Sequence, residues 1–482
     1  MHPFRCSRLI LALGSVSIFA SATPALAGTE LVLDGHFRVR GRVYDNLQLQ
    51  RAEDATSATE NVSTFLYLQQ RLRLEPELRV NQYLSVFSQL DLLPDLVWGS
   101  NPALTQGLTN YYDPVGQSQT FETPSGANAL ALRRAWAELY TPYGRFKLGR
   151  TGMQVGAGVF FNDGNGADAD YGDTADRVQF LTKIGPVFLL AGYDAVAEGA
   201  LNTGYDASAF AAAVAYRSEL VSTSLYAYLQ NDRSWVDEGQ TSASEDTQST
   251  LTVLTLDAWA KAAVGPIDLE LEAIYRYGSG RAVLPALDSS ADPATVEGAV
   301  VNQFGGMARA LYGTGPWNLG LELGLASGDP DEVGGASTSS TSSTQLTRFS
   351  FDRDYHVGML LFRVPLPGCS TLQTEGAQVV CADDALMGNA VSNAFYLLPT
   401  AEFKVLDNLS AKVSTLAAWT LESGSLYNSA SDYGYELNLG LQSLLYDRLT
   451  VQARGAMLIP GAVFGDSREL AFGGELSAFI KF

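Results

Sequence analysis

The chain has 482 residues, and 31 Lys+Arg against 52 Asp+Glu leave it at −21. An acid excess of that size excludes nucleic acid as a partner, because phosphate binding needs surplus cations. A soluble protein of this length would divide into two or three domains, yet no linker-like boundary and no helical periodicity appears.

Residues 1–27 read as an export signal. Arg5 and Arg8 form a positive start, Leu9 to Ala20 an apolar run, and Ala25-Leu26-Ala27 a small-residue cleavage site. This predicts export by the general secretory route and one mature domain over residues 28–482. No later stretch has the roughly 18 uninterrupted apolar residues that a membrane helix needs.

From there the pattern has a period of two. Phe37, Val39, Gly41 and Val43 share one face, and His36, Arg38, Arg40 and Arg42 share the other. Over 66–80 the apolar face is Leu66, Leu68, Leu72, Leu74, Leu78 and Val80, opposite Gln69, Arg71, Arg73, Glu75, Glu77 and Arg79. In chain order the pattern predicts strands near 30–43, 65–80, 83–93, 130–141, 145–151, 175–184, 187–196, 207–218, 220–231, 249–264, 267–278, 301–313, 317–327, 390–405, 409–421, 433–445, 449–459 and 470–482. Long connections (44–64, 94–129, 152–174, 197–206, 232–248, 279–300, 328–389, 422–432, 460–469) alternate with tight turns such as Gly185-Pro186, Gly265-Pro266 and Gly315-Pro316.

Long loops at one end and short turns at the other are the layout of an outer-membrane barrel. The expected fold is all-β: a transmembrane antiparallel up-and-down β-barrel of about 18 strands, apolar toward lipid and polar toward a wet lumen. Strand 1 starts so near the cleavage site that no N-terminal plug is expected. Trp317, Trp419, Tyr433 and Tyr435 suit an interfacial aromatic girdle. The chain ends on Phe482, in phase with Leu470, Phe472, Leu476 and Ile480, the ending that barrel-assembly machinery reads. The expected surroundings are outer-membrane lipid and lipopolysaccharide of a Gram-negative bacterium.

The predicted lumen carries a basic arc: Arg38, Arg40, Arg42, Arg71, Arg73, Arg79, Arg134, Arg145, Lys147 and Arg177. Many of the acids, among them Asp163, Asp168 and Asp170, are expected in outer loops, beyond a Debye length of roughly 8 Å from a deep constriction. Left in excess, the arc would favour anions, as Arg and Lys rings do; the alternative is that its charges pair across strands and fill a wide lumen.

Two loops stand out. In 152–174, Asp and Asn alternate with Gly, and Asp163, Asn165, Asp168 and Asp170 are candidate oxygen ligands for loop-bound Ca²⁺; the other reading is a polar loop tip. The 328–389 loop holds the run Tyr355-His356-Val357-Gly358-Met359-Leu360-Leu361-Phe362-Arg363, too apolar for a solvated loop. It either folds into the barrel as a constriction, packs on the rim, or forms a further strand. Cys369 and Cys381 follow it, an even pair in an exported chain, and are expected to be bonded.

Enzymatic motifs are missing. His36 sits near the turn end of strand 1 and His356 in a long loop, so they cannot share a site, and no phosphate-loop or zinc spacing occurs.

Phe146-Lys147-Leu148-Gly149-Arg150 resembles the Leu-Gly-Arg-Gln strand end of alginate-export-type barrels and related porins, with Thr151 standing where Gln is usual. Asp163-Gly164-Asn165, Tyr171-Gly172-Asp173-Thr174-Ala175-Asp176-Arg177, Asp354-Tyr355-His356-Val357 and Leu361-Phe362-Arg363 are similar to a group of uncharacterised, predicted outer-membrane barrel proteins found mostly in myxobacteria. The first resemblance implies an 18-stranded barrel with an arginine-rich conduit for an anionic polysaccharide.

These readings converge on a porin-type channel for small polar or anionic solutes, an anionic saccharide among them. The rivals are an occluded surface barrel with a structural or adhesion role and, third, a barrel enzyme. One expectation is testable at this level. A Cys369–Cys381 bond would close 11 intervening residues and stabilise by about 2–3 kcal/mol on the chain-entropy account. Mass spectrometry of the non-reduced mature protein should find that bond, and free thiols would contradict it.

Overall fold

The computed structural model describes residues 29–47, 49, 64–97, 130–197, 206–233, 249–284, 294–329, 344–364, 366, 373–374, 377–378, 390–423, 430–465 and 468–482. The expected export signal, Cys369 and Cys381 lie outside them.

Eighteen antiparallel strands close into a barrel. In chain order they are β1 Glu30–Asp45, β2 Thr64–Asn81, β3 Leu84–Val97, β4 Leu130–Thr141, β5 Gly144–Gly152, β6 Thr174–Ile184, β7 Val187–Ala197, β8 Ala207–Arg217, β9 Val221–Asp232, β10 Leu251–Val264, β11 Ile267–Leu284, β12 Ala294–Thr314, β13 Trp317–Ala326, β14 Ala394–Leu406, β15 Leu409–Thr420, β16 Asp432–Leu445, β17 Leu449–Pro460 and β18 Ala471–Lys481. Each pairs with its sequence neighbour. β18 then pairs with β1, His36 against Lys481 through Asp45 against Phe472, which abolishes the sheet edge. Closure is also what membrane insertion demands, since an open edge would leave N–H and C=O groups bare in hydrocarbon.

The turns show why the chain reverses where it does. Gly185, Gly265 and Gly315 have φ of 59°, 60° and 56°, the positive value required at the first loop position of a type II′ hairpin. The prolines that follow have no N–H to lose there. At the other end β11 and β12 run past their expected limits, to 18 and 21 residues, and Gln345–Leu346 adds a short parallel pairing to Val300–Val301.

Side-chain burial is inverted relative to a soluble protein. Leu66, Leu148, Leu439 and Leu476 point outward and are more than half exposed, whereas Arg38, Arg40 and Arg71 are among the largest fully buried side chains. Apolar groups outside and ionic groups inside are the pattern expected when lipid is the outer solvent. Trp317 and Tyr435 lie on the outer face as expected. Tyr433 does not: it is 1 % exposed and its hydroxyl faces the backbone carbonyls of Ser392 and Asn393. An irregularity in the β15–β16 pairing, with Gly434 at φ 99°, shifts the phase there and turns Tyr433 inward.

The last residue completes the seam: Phe482 and Gly35 exchange two backbone hydrogen bonds of 3.0 Å each. Replacing Phe482 by Asp should therefore lower the heat-modifiable, folded fraction on electrophoresis several-fold relative to wild type. An unchanged fraction would contradict the role of this end in assembly.

Candidate functional site: a lumen filled from within

The arc faces inward, as the period-two pattern requires. Arg38 stands opposite Arg71 and His36 opposite Arg73 across the β1–β2 pairing. Like charges at that separation repel, and buried guanidinium groups without counter-charge cost several kcal/mol each. The chain's answer is L3, the connection over residues 153–173, which folds into the barrel instead of projecting outward.

L3 brings its acids and carbonyls to the arginines. Asp170 meets Arg38 at 2.7 Å and Arg40 at 2.6 Å, and lies 3.6 Å from Arg42. The Ala169 carbonyl accepts from Arg38 and Arg71, each at 2.9 Å, and the Gly164 carbonyl accepts from Arg73. Arg134 donates to the Asp163 carbonyl and to Asn165. Asp168 joins Arg363 at 2.9 Å and Arg454 at 2.7 Å. Wall acids finish the neutralisation: Asp91 holds Arg73 at 2.6 Å and Arg133 at 3.2 Å, and Glu475 holds Arg42 and Arg454.

Asp168 and Asp170 were expected outside, clear of the lumen, and the structure corrects this: they are the counter-charges of the arc. As Ca²⁺ ligands the four candidates do not converge. Asp168 and Asp170 face guanidinium groups, while Asp163 and Asn165 hydrogen-bond to each other at 2.7 Å. Among the described residues no group of three or more His, Cys, Asp or Glu is placed to hold a metal ion.

The remaining arc residues are spread around the wall. Arg79, at the turn end, pairs with Glu77 and Glu30; Arg145 and Lys147 pair with Glu138; Arg177 pairs with Asp194.

L7, the connection 327–393, resolves the choice left open for its apolar run: its 349–364 part packs inside the barrel. Leu360 and Leu361 are fully buried, with Phe349, Phe351 and Val159 of L3 in the same cluster as the wall residues Tyr396, Leu416 and Leu458. The inward Glu436 caps the turn, its carboxylate accepting from the N–H groups of Met359, Leu360 and Leu361. Wall glycines leave the room: a Cβ on Gly473 would stand 2.9 Å from Leu360, and one on Gly305 would strike the Phe349 ring. L3 likewise seats Met153, Val155 and Phe161 on Ala209, Ala211, Tyr226 and Tyr228. Small residues run along the inner face of β8 because this loop needs their space.

The two loops lock to each other. The Asp354 carboxylate accepts from the N–H groups of Asp170 (2.7 Å) and Tyr171 (3.1 Å), and Arg353 stacks over the Tyr171 ring. Burial pushes Asp170 and Asp168 upward, but Arg40, Arg38 and Arg42 for the first, and Arg363 and Arg454 for the second, overcome it and hold both well below the usual carboxylate range. His356 goes the other way. Burial, then Arg363, lowers it to about 3, so it stands neutral beside Asp168.

Asp354 and Arg363 entered the sequence reading only as motif residues of a resemblance, and none of Asp354, Glu436 and Arg363 was expected to seat the loops. The available signal was the unbalanced arginine excess on β1 and β2, which required acids from elsewhere in the chain.

Beneath the plug formed by L3 and L7, on the turn side, Lys183, Arg217, Lys261 and Lys412 are inward by strand phase and exposed. Among the described residues none has a carboxylate within ion-pair distance. Lys183 and Arg217 flank the Phe188 ring at 5.1 and 5.6 Å.

No family model matches the chain, and no curated protein does. Solved structures do match. The Pseudomonas aeruginosa protein OccK9 (OpdG) superposes with a TM-score of 0.51 at 10% identity, covering 94% of this chain and 98% of that one. OpdQ and OpdL of the same organism give TM-scores of 0.48 and 0.47 at 10% and 11% identity, each covering 93% of this chain and 98% of the other. The fold is that of Gram-negative outer-membrane barrels.

Two outcomes follow from the ion pairs. Asp170→Asn leaves three buried arginines short of a partner, which by the usual cost of breaking a buried pair should destabilise the seated loop by about 3–5 kcal/mol. Limited proteolysis should then cut within 153–173, where wild type resists. The pH dependence has a fixed sign. A carboxyl held below its unfolded value stabilises above that value and loses the contribution only as pH falls through it. On the acid side, wild-type resistance should therefore hold at pH 5 and fail below about pH 4.

Proposed function

We propose that the protein is an outer-membrane diffusion channel for small polar or anionic solutes, exported to a Gram-negative outer membrane and inserted through its C-terminal strand. The carrying observation is the basic sector of the lower lumen. Lys183 and Arg217 project from β6 and β8 into open space without acid partners among the described residues, next to Arg145 and Lys147, while Lys261 of β10 stands opposite Glu270 of β11. Long cations left exposed inside a barrel fit a path on which water and anions move.

On this reading the anion preference rests on the turn-side cations of the predicted lumen and not on the arginines of β1 and β2. Arg38, Arg40, Arg42, Arg71 and Arg73 are occupied in seating L3, and the vestibule below supplies the free positive charge. An anionic saccharide is one solute class this charge suits. Lipid and lipopolysaccharide are the surroundings that the exposed outer leucines fit.

A second reading is favoured by the plug itself: a barrel whose loops fill its lumen is also suited to a structural or adhesion role at the surface. Planar-bilayer recording separates the two. A channel should show a reversal potential favouring anions under a salt gradient, and Lys183→Glu/Arg217→Glu should shift it toward cations. A cation-selective wild type, or no shift, would contradict the anionic-solute reading; no conductance under any condition would favour the occluded barrel.

A further inference from the structure

The ion pairs and apolar contacts do not account for every polar group around L3. Asp257 on β10 is fully buried, and among the described residues no N–H or O–H donor reaches either of its carboxylate oxygens. Its polar contact is the carboxylate of Glu272 on β11. Glu272, also fully buried, carries L3 directly: it accepts from the N–H groups of Ala157 (2.5 Å) and Val159 (3.2 Å). The approach is tight enough that a Cβ on Gly156 would lie 2.5 Å from Glu272 Oε2.

The cations that face this pair are engaged elsewhere. Arg177 on β6 is paired with Asp194 of β7 at 2.5 Å. Arg276 on β11 donates to Gln303 at 2.6 Å and lies over the Phe160 ring. Glu270 on β11 takes Arg309 and the Trp259 indole. From β9 the neighbour is Tyr226, opposite Asp257 in register, and residues 155–159 of L3 carry no charge. Two buried carboxyls in contact with no cation cannot both be ionised; they hold a proton between them.

The same contact recurs at the other end of L3. Asp173 and Asp352 of L7 meet carboxyl to carboxyl. The charged groups around them are Asp354, which opposes ionisation, and Arg134 of β4, already bonded to L3. Asp352 also accepts from the Asp354 N–H, and its own N–H donates to the Val159 carbonyl. One carboxyl pair therefore ties L3 to the wall and the other ties L3 to L7.

We propose that the plug is an acid-closed gate: each pair, Asp257–Glu272 and Asp173–Asp352, holds one shared proton while L3 and L7 are seated, and loss of these protons as pH rises releases the loops from the lumen. This rests on the channel reading above. The balance per pair is simple. The carboxylic O–H bond breaks, the proton leaves to hydroxide or buffer, and two adjacent carboxylates remain that repel.

The sign follows from the protonated form being the seated one. A carboxyl whose seated pKa is raised favours seating at low pH and loses that contribution as pH climbs through the raised value. Burial, then the neighbouring Asp173, pushes Asp352 up to about 8, which places the release between neutral and mildly alkaline pH. The arginine pairs of Asp168 and Asp170 stay formed throughout that range, so the gate works against a standing seat.

The test uses the full mature protein in planar bilayers at pH 5 and pH 9, with a chelator present, together with hydrogen exchange of the 153–173 peptide corrected for intrinsic rate. Wild type should conduct several-fold more at pH 9, with L3 protected at pH 5 and exposed at pH 9. Asp257→Asn/Asp352→Asn supplies neutral amide donors to Glu272 and Asp173. It should remain at the pH 5 level of both readouts throughout. Equal conductance and equal protection at the two pH values would overturn the gate, as would a double variant that responds like wild type. A closed state abolished by chelator would also overturn it, since a cation would then hold the pairs. A protein that conducts at no pH, even with 349–364 replaced by a glycine–serine linker, would overturn the channel reading instead. Hydrogen exchange alone would then judge the gate, equal protection at both pH values rejecting it.

Discussion

A guanidinium group removed from water must be given a counter-charge, and the interior is arranged around that requirement. Five arginines on two adjacent strands cannot share a wall unless something anionic comes to them. In this chain it is a loop. L3 enters the lumen because Asp170 and the carbonyls of Gly164 and Ala169 satisfy Arg38, Arg40, Arg71 and Arg73. L7 follows because L3 offers Asp168 to Arg363, and the wall offers Glu436 to the L7 backbone. Apolar packing of Phe349, Leu360 and Leu361 then excludes water from these pairs, which strengthens each of them.

The outer surface and the inner one answer to different solvents. Outside, exposed leucines suit lipid. Inside, the long-loop half is packed and ion-paired, and the turn-side half keeps exposed Lys183, Arg217 and Lys261. On the proposed channel reading, that division gives seating to one set of cations and solute contact to another.

The barrel was legible in the sequence because one residue in two repeats its chemistry along each strand, and because long and short connections alternate. Strand ends at Asp45, Arg217 and Lys481 fell within a few residues of expectation. Tyr433 was misplaced because one bulge reverses the phase, which periodicity cannot register. The interior of the site was less legible. Asp168 and Asp170 look the same in sequence whether they bind Ca²⁺, face solvent or meet arginines over 120 residues away. The arginine excess announced that acids were needed, but their identity depended on how L3 folds back. The apolar run of L7 announced burial, though not against which wall.

The central claim is that L3 sits on the arginine arc, and Ala169 reports it most directly, being 5 % exposed with its carbonyl bound by Arg38 and Arg71. In a background lacking Cys369 and Cys381, an Ala169→Cys variant should resist a membrane-impermeant maleimide added outside. It should become reactive when Asp168→Asn and Asp170→Asn are added. Labelling of Ala169→Cys alone at the rate of an exposed loop cysteine would contradict the account.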